Sequence, residues 1–410
     1  MDDTTAALDA AHRAAAQFLS GVDERPVWPR ATLDDMLHEF DEPLPDAGID
    51  PATLIADLAR RADPGLVATP GGRFFGFVIG STLPAALAAD WLVSAWDQNS
   101  GSSTMTTAAV ALERTAGRWV CDLLGLPPSA SVGFVTGAHM SNVVCLATAQ
   151  HATLRRVGWD LTRQGLRGAP PLRLVVGEYR HASIDRAARF CGVGQEELVV
   201  VEADEEGRML PASLVDALGE PDGTPMIVCL QAGEVHTGAF DPFHELIAIA
   251  RDHGAWVHID GAFGLWAAAS PTLRHLAAGV EEADSWTTDA HKTLNTPYDC
   301  GMAIVRDPAD SIAMFHTGGD YLIHSGLDPW DVTPELSRRA RHSGLGGAAQ
   351  PRPLGGDRPR GSPARERGTS RGTTPGGSGY RCGEPRRLHA GDVPHRRRRR
   401  HARDRRRHPR

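Results

Sequence analysis

Between residues 131 and 305 the chain alternates short apolar runs with stretches of helical period, and that order narrows the fold more than any other feature of the sequence. Runs at 131–135, 172–176, 198–202, 226–230, 256–260, 285–289 and 302–305 read as strands, and 142–151, 181–191, 212–218 and 243–253 read as helices. Most of the strand runs are apolar rather than alternating, as expected of strands buried on both faces. Repeated strand–helix–strand order predicts an α/β fold with a mostly parallel central sheet and helices on both faces. Ligands in such sheets sit beyond the carboxyl ends of the strands, so chemistry is expected in the residues that follow each run.

Ahead of this region the spacing predicts a helix over 5–19, an extended proline-bearing arm over 21–50, and a helix over 51–61 capped by Asp50. A strand-like run follows at 74–78, then helices over 83–96 and 107–124. Three segments result: an N-terminal helix and arm (1–85), a large domain (86–337) and an Arg/Gly/Pro-rich tail (338–410). No apolar stretch approaches the ~20 residues needed to cross a bilayer. The acidic start Met1-Asp2-Asp3-Thr4 has no apolar run behind it, which argues against a secretory signal. The six cysteines form no C-x-x-C pair and read as reduced thiols of a cytoplasmic protein.

Lys292 is the single lysine among 410 residues, beside 42 arginines. Arginine stays protonated at any working pH, whereas a lysine in a pocket can lose its proton and attack a carbonyl. A lone lysine can also be a leftover surface charge, so its neighbours decide. After the run 131–135 comes Thr136-Gly137-Ala138-His139-Met140-Ser141-Asn142, a small-residue turn into a helix. Free backbone N–H groups and the helix dipole there suit an anion, although an ordinary βα turn would look the same. After 172–176 comes His181, placed either to stack on a planar group or to cap a helix. After 226–230 comes a polar loop containing Thr237. The run 256–260 ends in Asp260, a carboxylate that is costly on a central strand unless paired. A metal ligand set is disfavoured because no H-x-x-x-H spacing occurs. A phosphate cradle, a flat imidazole, a strand-end carboxylate and one amine are together what pyridoxal 5'-phosphate requires.

The order and wording of these segments resemble the group II pyridoxal-phosphate-dependent amino-acid decarboxylases, the aromatic-amino-acid and glutamate decarboxylase-like enzymes of fold-type I. The resemblance is carried by Phe134 to Asn142, His181-Ala182-Ser183, Thr237-Gly238, His258-Ile259-Asp260-Gly261-Ala262, and Asp289-Ala290-His291-Lys292 with Pro297-Tyr298-Asp299 after it, and runs from about residue 25 to 341. It implies an imine at Lys292, ring-nitrogen pairing by Asp260, and stacking of the ring between His181 and Ala262. It also implies phosphate contacts from Ala138, His139, Thr237 and His291, with Asp289 beside the cofactor. The implied reaction is decarboxylation of an L-amino acid by a homodimer, with Phe74-Phe75-Gly76 bordering the side-chain pocket. Other fold-type I reactions (aldehyde-forming, aminotransferase or C–C lyase) and an inactive truncated remnant are the alternatives.

Two departures stand out. The family supplies a tyrosine from a mobile loop as proton donor, whereas His324 to Val332 contains none, and Tyr321 lies just before it. The resemblance then stops after Arg341. The formal charge is −25 over 1–337 and +17 over 338–410, and the tail has neither apolar period nor strand pattern. A one-base shift in GC-rich codons turns the tail's beginning into Gly-Ile-Pro-Val-Trp-Ala-Ala-Leu-Arg-Ser-Leu-Gly-Arg, an amphipathic helix. A shifted reading frame is therefore the expectation, leaving the small C-terminal domain missing or replaced by a disordered basic tail. A nucleic-acid-binding tail is the rival, disfavoured because aromatic residues do not interleave the arginines.

Overall fold

The computed structural model describes residues 2–316, 318, 327–342, 344 and 345. Tyr321, the loop at 319–326 and the chain from 346 onward, which holds most of the shifted-frame segment and of the tail, lie outside the described residues.

Five helices precede the sheet: α1 (Asp3–Ser20), α2 (Leu33–Phe40), α3 (Pro51–Ala62), α4 (Pro84–Trp96) and α5 (Thr107–Leu124). Asp50 caps α3 by accepting from Thr53 N at 2.8 Å, with Pro51 at the first helical position. The arm at 21–50 is not wholly extended. Thr32 and Asp35 form a reciprocal capping box that starts α2 inside it, a signal masked by the surrounding prolines. The run at 74–78 is not a strand. Phe77 and Val78 adopt φ of 58° and 52°, left-handed values that no strand contains.

The α/β region then runs β1 (Ser131–Val135), α6 (Ala138–Arg156), α7 (Leu161–Gln164), β2 (Arg173–Gly177), α8 (Ala182–Phe190), β3 (Leu198–Val201), α9 (Pro211–Leu218), β4 (Met226–Gln231), α10 (Phe243–Asp252), β5 (Trp256–Asp260), β6 (Ser285–Asp289), β7 (Gly301–Val305) and α11 (Pro308–Phe315). The seven strands form one sheet in the order β1-β7-β6-β5-β4-β2-β3. Pairing is parallel except at β7, which runs antiparallel to both β1 and β6. The mostly parallel sheet read from the sequence is present. Helix α6 begins a full turn earlier than its apolar period indicates, because Ala138 and His139 form its first turn directly after the glycine turn.

Alternation along each strand splits the core in two. Phe134, Val175, Val257 and Trp286 pack on the side of α5, α9 and α10. Val135, Leu174, Val176 and Trp256 pack on the side of α6 and α8. Each fully buried Leu, Val or Phe contributes roughly 1.5–3 kcal/mol. His258 and Asp260 share a face with Trp256, so both side chains turn toward α6 and α8.

The chain is still packed at the position where composition marks the start of a tail. Arg338 is 5% exposed, its two terminal nitrogens bonding Glu113 of α5 at 2.9 and 3.0 Å and the carbonyl of Phe134 at 2.9 Å. His342 and Leu345 are also buried, and Leu345 joins the core on the α5 side.

Candidate active site

The carboxyl ends of β1, β4, β5 and β6 open on a single cavity of about 290 Å³. Its walls are Gly137, Ala138 and His139 at the start of α6, His181 and Ser183 at the start of α8, and Gln231, Gly233 and Val235 after β4. Asp260, Ala262 and Phe263 after β5, and Asp289, His291 and Lys292 after β6, complete the floor, with Phe77 and Val78 at the lip. Lys292 is thus no surface leftover: its side chain is 22% exposed and its Nζ lies 3.1 Å from the buried Asp289 Oδ2.

Close backbone approaches create this convergence. A Cβ on Gly301, the first residue of β7, would lie 2.4 Å from Gly137, so the glycine pair lets the α6 turn settle against β7. A Cβ on Gly80 would lie 2.0 Å from the carbonyl oxygen of Lys292. Gly80 N instead donates to His291 O, while Ser81 N donates to the Asn295 side chain. The loop that carries Phe77 and Val78 is thereby pinned to the loop that carries the lysine.

Asp260 is 5% exposed and held from three directions. Asn142 Nδ2 donates to its Oδ2 at 3.0 Å, Ser183 Oγ lies 3.5 Å from the same oxygen, and Ala262 N donates to Oδ1 at 3.2 Å. Behind Asn142 stands His258, its Nε2 3.0 Å from Asn142 Oδ1 and its Nδ1 2.9 Å from Ser285 Oγ. Since Asn142 Oδ1 can only accept, His258 carries its proton on Nε2 and accepts from Ser285 at Nδ1. Burial pushes the His258 imidazole down to about 4, so it is neutral near pH 7. The chain Ser285–His258–Asn142–Asp260 therefore aims amide donors at the carboxylate and leaves it an acceptor.

His181 caps α8, its Nδ1 accepting from Ser183 N at 3.2 Å, and also lines the cavity, so capping and site roles coincide in one residue. His291 accepts from Cys300 N at Nδ1, which leaves the Nε2 proton facing Asp289 Oδ2 at 3.5 Å. Burial lowers its basicity, and the Tyr298 ring packs 4.3 Å away at 32°. Thr237 is not brought to the cavity. Its hydroxyl bonds Glu206 O at 2.8 Å and Glu234 Oε2 at 3.1 Å, and Gly233 and Val235 line the wall in its place. The sequence assigns no site role to Asn142, Ser183 or Gln231, although Asn142 and Ser183 lie in segments that carry the resemblance. The available signal for Asn142 was its place one turn into α6, where a polar side chain facing a sheet needs partners.

The donor set fits pyridoxal phosphate on this chain's own geometry. An amine, a buried carboxylate and an imidazole converge, and His139 Nε2 is buried at the cavity without a hydrogen-bond partner. A second cavity of about 310 Å³, between α4 and α5, is lined by Val93, Trp96, Ala109 and Leu112 among others and has no titratable group in its wall.

Comparison with known proteins agrees with this geometry. The model of the pyridoxal-dependent decarboxylase conserved domain matches residues 34–342. The chain is 28% identical over 327 residues to the aromatic-L-amino-acid decarboxylase of Bacillus atrophaeus, covering 77% of this chain and 66% of that one. It is 29% identical over 283 residues to the human cysteine sulfinic acid decarboxylase, covering 67% and 56%. The structure of Oryza sativa TDC with PLP and tryptamine superposes with a TM-score of 0.78 at 25% identity, over 85% of this chain and 74% of that one. The chain spans 66% and 56% of the length of these two curated relatives. A glycine turn, a strand-end Asp260 and a cavity lysine in one α/β sheet, matched over three quarters of the sequence, place the chain in the pyridoxal-dependent decarboxylase family.

Proposed function

We propose that this protein decarboxylates an L-amino acid with pyridoxal 5'-phosphate held at Lys292. The observation that carries this reading is the placement of the chain's single lysine in a cavity that also holds Asp260 and the amino end of α6. When bound, the cofactor's protonated ring accepts the electron pair released as the carboxylate leaves as carbon dioxide. Lys292 supplies the nitrogen for the cofactor aldehyde. Asp260, whose oxygens accept from the Asn142 and Ala262 donors, would face the ring nitrogen and pair with its proton. His181 and Ala262 flank the ring. Ala138 and His139 at the helix terminus, with His291, take the phosphate. Thr237, engaged with Glu206 and Glu234, is left out of that set. Phe77, Val78 and Phe263 form an apolar lip that restricts water and borders the substrate side chain.

A homodimer is part of this reading. Helix α1 buries only Ala10, and α2 and α3 bury no residue. Trp91, Trp96, Leu112 and Trp119 on α4 and α5 are each at least 40% exposed, an apolar surface that a second copy would cover. Among the described residues no helix is long and apolar enough to cross a membrane. With five buried free cysteines, this supports a cytoplasmic location.

A second reading is favoured by one feature. The described part of the loop, from Leu327 to Val332, offers no tyrosine as proton donor, which favours, with dioxygen as the two-electron oxidant, aldehyde with ammonia and hydrogen peroxide over amine as products.

The test is titration of the purified protein with pyridoxal phosphate, read by visible absorbance. A band that grows to one equivalent in the wild type and is lost in Lys292→Ala supports the site. No band in folded protein sinks it. Product analysis for carbon dioxide, amine and aldehyde across the amino acids, beside the product of a frame-restored gene, then separates the two readings and the inactive remnant.

A further inference from the structure

The ends of β5 and β6 each turn a carboxylate toward α6, and the function proposed above uses only the first. Asp289 is 2% exposed. Its Oδ1 accepts from Ala138 N, the first amide of α6, at 2.6 Å. Its Oδ2 lies 3.1 Å from Lys292 Nζ and 3.5 Å from His291 Nε2. The positive pole assigned to a phosphate group therefore already holds an anion belonging to the chain. Other groups around it are Tyr298 and Cys300, which precede or begin the approach to β7, and His139 on α6. Burial raises the proton affinity of Asp289 even with His291 and Lys292 beside it. Burial also raises Tyr298 and Cys300, so neither contributes charge near neutral pH.

We propose that Asp289 is a positioning residue that fills the α6 pole and neutralises Lys292 in the cofactor-free protein, and that it takes up a proton when a phosphate dianion enters. The inference rests on reading the cavity as a pyridoxal phosphate site. Two full anions competing for one buried N–H repel each other, and the carboxylate is the one that can be neutralised by a proton. Protonated, it turns from a competitor for the Ala138 amide into a donor toward a phosphate oxygen. The balance is one proton from solvent to the Asp289 carboxylate, with no covalent change.

The sign follows. Binding raises the carboxyl pKa further, so affinity is highest at low pH and falls as pH rises through the value in the free protein. The probe is pyridoxine 5'-phosphate, which has no aldehyde and cannot link to Lys292. Calorimetry in phosphate-free buffers of differing ionisation enthalpy should show more proton uptake for the wild type than for Asp289→Asn, with a difference approaching one. The Asn variant should bind the probe on the order of a hundredfold more tightly at pH 8, with the ratio shrinking toward one at pH 5.5. Equal proton uptake, or a ratio constant with pH, overturns the role of Asp289 and leaves the cofactor site standing. Binding by neither protein overturns both.

Discussion

His258 works only as a neutral imidazole, since its two nitrogens serve Asn142 and Ser285 in opposite roles. Its pKa in the folded protein, about 4, lies below the ordinary 6.5. The unfolded chain therefore gains the proton first on acidification. The stability this residue contributes is complete above about pH 6.5 and is lost as pH falls toward 4, by roughly 3 kcal/mol. Asp241, pushed up to about 6 by burial, acts in the opposite direction over roughly pH 4–6. It is common to the wild type and a His258→Asn variant and cancels in their difference. Urea unfolding at pH 7.5 and 4.5 should show the advantage of the wild type over that variant shrinking by roughly 2–3 kcal/mol at the lower pH. An advantage equal at both pH values would mean that this imidazole does not titrate in the fold.

Individual residues were legible in the sequence where a strand end or a unique side chain marked them. Asp260 and Lys292 are of that kind, and both line the cavity. Thr237 was marked by its loop and by the family resemblance alone, and its hydroxyl found nearer partners in Glu206 and Glu234. Nothing local marks Asn142 as the support of Asp260, because the two stand 118 residues apart.

At the scale of elements, periodicity located most strands and helices to within a residue or two, since an apolar face or a buried strand leaves its pattern in adjacent positions. The run at 74–78 misled because three phenylalanines and a valine imitate a strand. Its left-handed residues are held by the anchorage of Gly80 and Ser81 to the lysine loop. The segment 338–342 misled in the opposite way: arginines there signal solvent, yet Arg338 is buried against Glu113. Removing one partner of such a pair leaves an uncompensated buried charge. Glu113→Ala should cost about 3–5 kcal/mol in chemical unfolding, and adding Arg338→Met should recover a substantial part. A loss below about 1 kcal/mol would show that the pair does not hold this segment against α5 and the end of β1.

For the whole molecule, the helices α1 to α3 form an arm whose apolar side chains are left open: Leu8, Leu33, Leu37, Leu54 and Leu58 are each at least 48% exposed. Single monomers seldom leave so much apolar surface uncovered. Light scattering coupled to gel filtration should give about twice 43.9 kDa, and a Leu54→Glu, Leu58→Glu double variant should shift the mass toward the monomer. A wild-type mass of one chain at micromolar concentration would remove the arm's assigned purpose.

The sequence alone determined the α/β order, the parallel character of the sheet and the two strand-end groups, Asp260 and Lys292. These follow from side-chain periodicity and from residue chemistry, both local. Only the tertiary structure decided which groups support Asp260, that Asp289 holds the first amide of α6, and that residues 338–342 still pack into the core. Such contacts join residues up to 151 and 225 positions apart, and no local period records which distant side chain will meet a strand end.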